Sequence, residues 1–472
     1  MPTPRTPVLV VGAGPTGAVL ALELARHGVP SLVVERASRP PRHPELNLVG
    51  GHTLDLLRRL GVAEALLAAG LDPDGHDTTV WSRSIGRRPV ATAPDRPRPD
   101  DPRVLVTGTD LAVRLRDAAR AHPLIDLREG WIFTDLRLEG GGAVATLLDG
   151  HTGTRHSVPA DHLAGCDGAQ STVRRCLGVP MDETLTTAHY YTIQFRSDHL
   201  ARRFPQPATL VADGISLTRC SGPGMWLGHL PLDRGDAETA DPIALLHSKL
   251  PAALAASQIL EVSQWPDPLG VARTYRQGAA YLAGQAAHTL HPPSVAADTC
   301  LGDAVDLGWK LAATLGRWAG PALLDSYEQD RRPHAVRDRR LLSRELATRR
   351  RFGRLAAAGA SRERLAGVLL RDQLRNAGSG APPRLPTDRL GPQFTLVDVT
   401  GSGRGRSLVD TARARGIPMT YLAADDAPLR DRVPGRLLLV RPDQLVAWQS
   451  AGDASDWDSV LDRVTGCPPR IT

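Results

Sequence analysis

Between Val8 and Arg36 the chain reads VLVVGAGPTGAVLALELARHGVPSLVVER, which spells out one nucleotide-binding βαβ unit. An apolar run (Val8–Val11) leads into Gly12-Ala-Gly-Pro-Thr-Gly17, an amphipathic helix follows, and a second apolar run (Ser31–Val34) ends at Glu35. Gly12 permits a tight turn, Gly14 lets backbone N–H groups approach a pyrophosphate, and Gly17 lets helix pack closely on strand. Glu35 stands where a carboxylate accepts hydrogen bonds from a ribose. A bare GxGxxG is a weak signal. Strand, helix and acid in register make it an adenine-dinucleotide site rather than a glycine-rich turn.

The 472 residues suffice for two or three domains with an ample core. No apolar run reaches membrane-spanning length, and the first strand starts so near Met1 that no signal peptide is expected. Cys166, Cys176, Cys220, Cys300 and Cys467 show no CxxC spacing, so neither a disulfide framework nor a metal site is expected; reduced thiols suit a cytoplasmic protein. Only Lys249 and Lys310 are lysines, and the net charge of +6 is carried by arginine. Without basic runs interleaved with aromatics, nucleic acid is excluded as a partner, whereas an anionic substrate or cofactor is favoured.

Thr53–Gly61 reads as a short glycine-capped helix, Pro94–Pro102 as a loop and Asp110–Ala121 as a helix. Leu124–Leu163 reads as a β-meander, residues 180–275 as short strands roofing a substrate cavity, and Asp303–Trp318 as a helix. Arginines at helical spacing from Tyr327 to Arg375 suggest a solvated helix pair. Gly378–Pro386 reads as a linker and Gly391–Thr472 as a compact α/β module with a buried strand at Arg436–Val440.

Three further motifs carry a resemblance. Gly165-Cys-Asp-Gly-Ala-Gln-Ser-Thr-Val-Arg174, Tyr281-Leu-Ala-Gly-Gln-Ala-Ala-His288 and Gly302-Asp-Ala-Val-Asp-Leu-Gly-Trp-Lys310 follow in order, with Tyr327-Glu-Gln-Asp-Arg-Arg-Pro333 closing the region. Nearly end to end, the chain resembles the group A flavoprotein monooxygenases of the p-hydroxybenzoate hydroxylase fold, especially the larger members that act on aromatic polyketides and phenols. The resemblance implies an α/β architecture: a Rossmann-type FAD-binding domain in two parts (1–180 and 276–345), an interleaved β-sheet substrate domain (181–275), a helical linker (346–390) and a thioredoxin-like C-terminal domain (391–472). It further implies FAD, held by Gly12, Gly14, Gly17, Glu35, Asp167, Gly168 and the third-fingerprint position Gln285. NAD(P)H would serve as reductant only if redox chemistry is retained, and the substrate would be a polycyclic or polyketide-like small molecule. In the family FAD supplies oxygen activation, and the protein supplies position and a dry cavity.

The chain departs from that pattern where the family touches FAD. The family's Gly-Asp is Gly284-Gln285, which replaces a charge-assisted hydrogen bond with a neutral one, a loss of about 1.5–3 kcal/mol. A glycine-rich loop against the flavin ring is replaced by Ser294-Val-Ala-Ala-Asp-Thr-Cys300. His52 stands for a common arginine, Gly108 for a glutamine, Ala279 for an arginine and Gln170 for another. Two readings follow: a working FAD monooxygenase hydroxylating an aromatic polyketide-like substrate, or a retained scaffold catalysing cyclisation, dehydration or rearrangement, with flavin redox lost or impaired or the flavin absent. The second is preferred, since a loosely held flavin cannot place its reactive atom. Its candidate proton-moving groups are His52, His288, His291 and Asp298. Tyr190, Tyr191 and Trp226 are expected to line or roof the cavity.

Overall fold

The computed structural model describes residues 5–40, 46–70, 78–94, 103–183, 188–205, 209–220, 222–232, 241–267, 269–290, 296–376, 389–401, 403, 405–423, 436–450 and 456–468. Its first sheet runs, edge to edge, through Arg276–Gln277, Ala280–Leu282, Arg155–Gly165, Thr6–Val11, Ser31–Glu35 and Ile125–Glu129. Val8–Val11 pair in parallel with Ser31–Val34 on one side, and Thr6–Val11 pair with Ala160–Gly165 on the other. The four residues Val8–Val11 are buried on both faces, as a central parallel strand requires. The outer half of Arg155–Gly165 leaves the parallel array and pairs antiparallel with Gly142–Asp149, which pairs in turn with Trp131–Glu139. These three strands form the meander expected between 124 and 163.

The helix Pro15–Arg26 crosses from the first strand to the second, and Ala296–Leu315 packs along it with Gly308 against Leu20 and Glu23. The later helix was expected to begin at Asp303 and to run to Trp318; it begins at Ala296 and ends at Leu315. Ala296, Ala297 and Cys300 are buried in its first turns, and Asp298 places an acid at its positive end. Much of the stretch read as a ring-facing loop is thus helix. Beyond Leu315, Arg317 takes a left-handed conformation (φ 59°) that stops it short of Trp318.

A seven-stranded sheet in the order Gln258–Asp267, Ala188–Arg196, Met225–Leu232, Ile215–Arg219, Thr209–Ala212, Thr78–Ser82, Ala91–Pro94 forms the second layer. One face buries Tyr191, Ile193, Phe195, Leu217, Trp226 and Leu230 beneath the helix Pro242–Lys249. Tyr191 and Trp226 therefore belong to this packed core, which corrects the expectation that they line a cavity; strand alternation puts them on the opposite face from Tyr190. Tyr190 packs with Leu269, Leu290, Ala296, Leu342 and Leu346, so its face is the one turned toward the start of Ala296–Leu315.

Helices Ala322–Ala357 and Arg362–Asn376 follow, then a four-stranded sheet in the order Met419–Ala423, Phe394–Asp398, Leu437–Val440, Val446–Ser450. Trp309 and Leu323 share one apolar cluster with Phe394, Leu396 and Leu461, which welds this last module to the first. The stretch read as a linker, Gly378–Pro386, lies outside the described residues.

Candidate active site

The turn after the first strand is built as the glycines require. Gly12 has φ 101°, its N–H donates to Val34 O at 2.8 Å, and a Cβ there would strike the Cys166 carbonyl. A Cβ on Gly17 would collide with the Gly12 carbonyl oxygen, whereas one on Gly14 would project into open space. No side chain caps the helix that begins at Pro15. Its first-turn N–H groups, unclaimed by a side chain, thus lie beside an opening at Gly14, the setting in which a helix N-terminus receives phosphate. These residues fit the pyrophosphate half of FAD.

Glu35 accepts the N–H groups of Ala13 (2.8 Å) and Ala37 (2.9 Å). Behind it lies Arg116, only 1% exposed, which donates to Ala13 O and Glu129 at 3.2 Å and stands 3.7 Å from Glu35. Arg116 was missed from sequence. Its signal is a guanidinium within the buried stripe Leu111, Ala112, Leu115, Ala119 of helix Gly108–Ala121.

Asp167 accepts from the Ser171 hydroxyl and from the N–H groups of Thr172 (2.7 Å) and Val173 (3.0 Å), so its carboxylate opens the helix Thr172–Cys176. Gly168 beside it has φ 80° with open space where a Cβ would be. Arg174 donates to Ala286 O at 2.8 Å and ties this turn to the third fingerprint. There Gly284 (φ 61°) lies against Thr16, and its N–H donates to Asp303 at 3.1 Å. Asp303 also binds His288 Nε2 (2.9 Å) and Arg331 Nε (2.9 Å). Burial pushes the Asp303 carboxyl up, but His288 and Arg331 outweigh it and hold it below the usual carboxylate range. Both His288 and Asp303 are wholly buried, so the histidine braces the turn from beneath. The Gln285 side chain, half-buried, forms no hydrogen bond among the described residues.

His52 and Asp298 are brought to one place. Asp298 Oδ1 accepts the N–H of Gly50, N-cap of the helix Gly51–Arg59 whose second residue is the exposed His52. His291 lies outside the described residues. On the Tyr190 face, Thr192 Oγ1 and His229 Nδ1 are 3.3 Å apart, flanked across the strands by Ser216 and Ser263. Neither Thr192 nor His229 was singled out from sequence; the signal would have been strand alternation with Tyr190.

Residues 5–339 match the model of an FAD binding domain, and residues 363–468 match that of an aromatic-ring hydroxylase C-terminal domain. The chain is a group A flavoprotein monooxygenase family member. The substrate-free rebeccamycin biosynthetic enzyme RebC superposes on this family member with a TM-score of 0.84 at 27% identity, covering 99% of this chain and 100% of that one. The dialkyldecalin synthase of Streptomyces rugosporus is 28% identical, with 94% of this chain and 96% of the relative aligned. The FAD-dependent monooxygenase apdD of Emericella nidulans is 29% identical over 69% of this chain, which spans only 58% of that protein's length. Among the described residues no helix is long and apolar enough to cross a membrane.

Proposed function

We propose that this flavoprotein-family enzyme tailors a polyketide-like small molecule by a non-redox step (cyclisation, dehydration or rearrangement), with FAD bound mainly as scaffold and its redox chemistry lost or impaired. The observation that carries this reading is the contrast between the two halves of the cofactor site. The Gly12–Gly17 turn, the Gly14 opening and Glu35 are intact, whereas Gln285 presents a neutral amide, unbonded among the described residues, from an otherwise well-braced turn. The relative named for making a dialkyldecalin, a fused carbocycle, supports the same reading.

When bound, FAD supplies hydride acceptance and oxygen activation in this family. The chain's own residues supply the rest. First-turn N–H groups after Gly14 would hold the pyrophosphate, and Glu35 would take the ribose with its remaining lone pairs. The Tyr190–Thr192–His229 face and the Asp298–His52 corner would border the substrate. A cyclisation moves no net electrons, so orientation and proton transfer suffice: His52 is exposed and able to exchange a proton, while Asp298 holds its helix in place. His291 remains a candidate from sequence.

The alternative is an FAD- and NAD(P)H-dependent hydroxylase, favoured by the relative named as a monooxygenase. The visible spectrum of the purified protein, with oxygen uptake and NAD(P)H consumption in the presence of polyketide-like substrates, separates the two. Product of unchanged oxidation level without oxygen uptake supports the proposal. NAD(P)H oxidation coupled stoichiometrically to oxygenated product defeats it.

A further inference from the structure

Away from the cofactor site, a cavity of about 400 Å³ opens at the edge of the seven-stranded sheet, between the loop 83–90 and the start of helix Arg362–Asn376. Four arginines line it, Arg83, Arg87, Arg88 and Arg362, together with Ser84, Pro89 and Val90. Among the described residues, the lining contains no carboxylate. Two of the arginines build the cavity. Arg83 donates to Ala360 O, and Arg362 Nε donates to Val90 O at 3.4 Å, so the loop and the helix start are laced to each other. The other two, Arg87 and Arg88, are exposed, and their side chains form no hydrogen bond or ion pair among the described residues. Glu363 is the acid adjacent in the chain, but its carboxylate is occupied by its own N–H and by Ser361, and it lies outside the lining.

Four like charges around one opening repel, and a bound anion reverses that cost. Guanidinium forks match phosphate oxygens two at a time, and a phosphate monoester is the common biological ligand with that geometry. The volume exceeds that of a bare phosphate, and Pro89 and Val90 offer an apolar surface to whatever carries it. We propose that this cavity is a second binding site, for the phosphate monoester of a small organic ligand, with Arg87 and Arg88 as the gripping pair and Arg83 and Arg362 as the frame. Two sources share this chemistry: a nucleotide phosphate and free 4′-phosphopantetheine. The proposal does not depend on whether the flavin is redox-active.

The test is calorimetric titration of the full chain, presaturated with FAD so that the dinucleotide site is filled, at low ionic strength. The probes are adenosine 2′-monophosphate, 4′-phosphopantetheine and unphosphorylated pantetheine. Wild-type protein is expected to bind at least one phosphorylated probe and not pantetheine, and the Arg87→Ala/Arg88→Ala variant to bind at least tenfold more weakly. Tighter binding of the nucleotide identifies that source, tighter binding of phosphopantetheine the other, and equal binding a site that reads the phosphate alone. Both substituted side chains are exposed, and unchanged thermal unfolding of the variant confirms that it folds. Absence of binding by every phosphorylated probe, or equal affinity in wild type and variant, overturns the proposal.

Discussion

Asp298 Oδ1 accepts the N–H of Gly50 at 2.9 Å across 248 positions of the chain. One carboxylate near the start of Ala296–Leu315 thereby fixes the start of Gly51–Arg59 and the placement of His52. Asp298→Ala leaves the Gly50 N–H unpaired and is expected to cost about 1–3 kcal/mol, whereas Asp298→Asn, whose Oδ1 can still accept that N–H, should lose little stability. Urea unfolding and turnover of both variants check this. An alanine variant as stable as wild type contradicts the structural role, while a stable but inactive asparagine variant shows that the charge itself is needed.

Gly14 separates cofactor binding from folding. Its φ of −67° is open to any residue, and a Cβ meets nothing within 4 Å, so Gly14→Ala should leave stability unchanged or raise it by about 0.4–1 kcal/mol. The same methyl fills the opening where the pyrophosphate is expected. FAD affinity, followed by fluorescence quenching, should fall at least tenfold; unaltered affinity places the cofactor elsewhere.

Arg116 is a buried cation between Glu35, Glu129 and the Ala13 carbonyl. Removing it leaves Glu35 without its cation, while Arg120 still holds Glu129, and Arg116→Ala is expected to cost about 3 kcal/mol in chemical unfolding. Because Glu35 would lose its backing, FAD retention should also drop in whatever protein remains folded.

The contact between the first and last modules has its own pH signature. Arg441 reaches Asp330 (2.7 Å), Asp306 (2.8 Å) and Asp443 (3.0 Å), while Lys310 binds Asp306 (2.8 Å) and Asp330 (2.6 Å). Burial pushes the Asp306 carboxyl up to about 6 against the pull of Lys310 and Arg441. Asp443 moves the opposite way, because Arg441 overcomes its burial. Between about pH 4 and 6 the folded chain holds the Asp306 proton more tightly than the unfolded chain, so this group's contribution to stability falls as pH rises through that window. Asp306→Asn removes the titrating group, so the fall is abolished and the variant's stability relative to wild type should rise between pH 4.5 and 7.5. Asp443→Asn should instead lose about 1–3 kcal/mol, since Arg441 gives up a charged acceptor but keeps Asp306 and Asp330. Urea unfolding at pH 4.5 and 7.5 measures both, and matching losses in the two variants would show that the carboxylates are equivalent.

Gln285→Asp restores the charge of the third fingerprint but not the residues around it. Stoichiometric, NAD(P)H-reducible flavin in that single variant, read from its visible spectrum, would count against a loss of redox spread over the ring side of the site.

Much of this was legible because it is local. The apolar runs flanking Gly12–Gly17, the amphipathic helix between them and Glu35 lie within 30 consecutive residues, and their periods dictate strand, helix and strand. The fingerprint glycines were readable for the same reason: a φ of 101° at Gly12 or 61° at Gly284 suits few other residues. The start of Ala296–Leu315 was misread because a comparison with glycine-rich relatives obscured the helix-forming character of Ala-Ala-Asp-Thr-Cys itself. Tyr191 and Trp226 were misplaced because alternation tells which residues share a face but not which face meets the cofactor.

From its sequence alone this protein is committed to a dinucleotide-binding βαβ unit, to the order of its fingerprints and to a neutral side chain at position 285, since each is set by neighbouring residues or by identity. Folding alone decided that Asp298 meets Gly50, that Arg116 stands behind Glu35, that His288 is sealed beneath Asp303, and that four arginines face one cavity. Those relationships join residues far apart in the chain, and their energies depend on burial and distance, which exist only once the layers have packed.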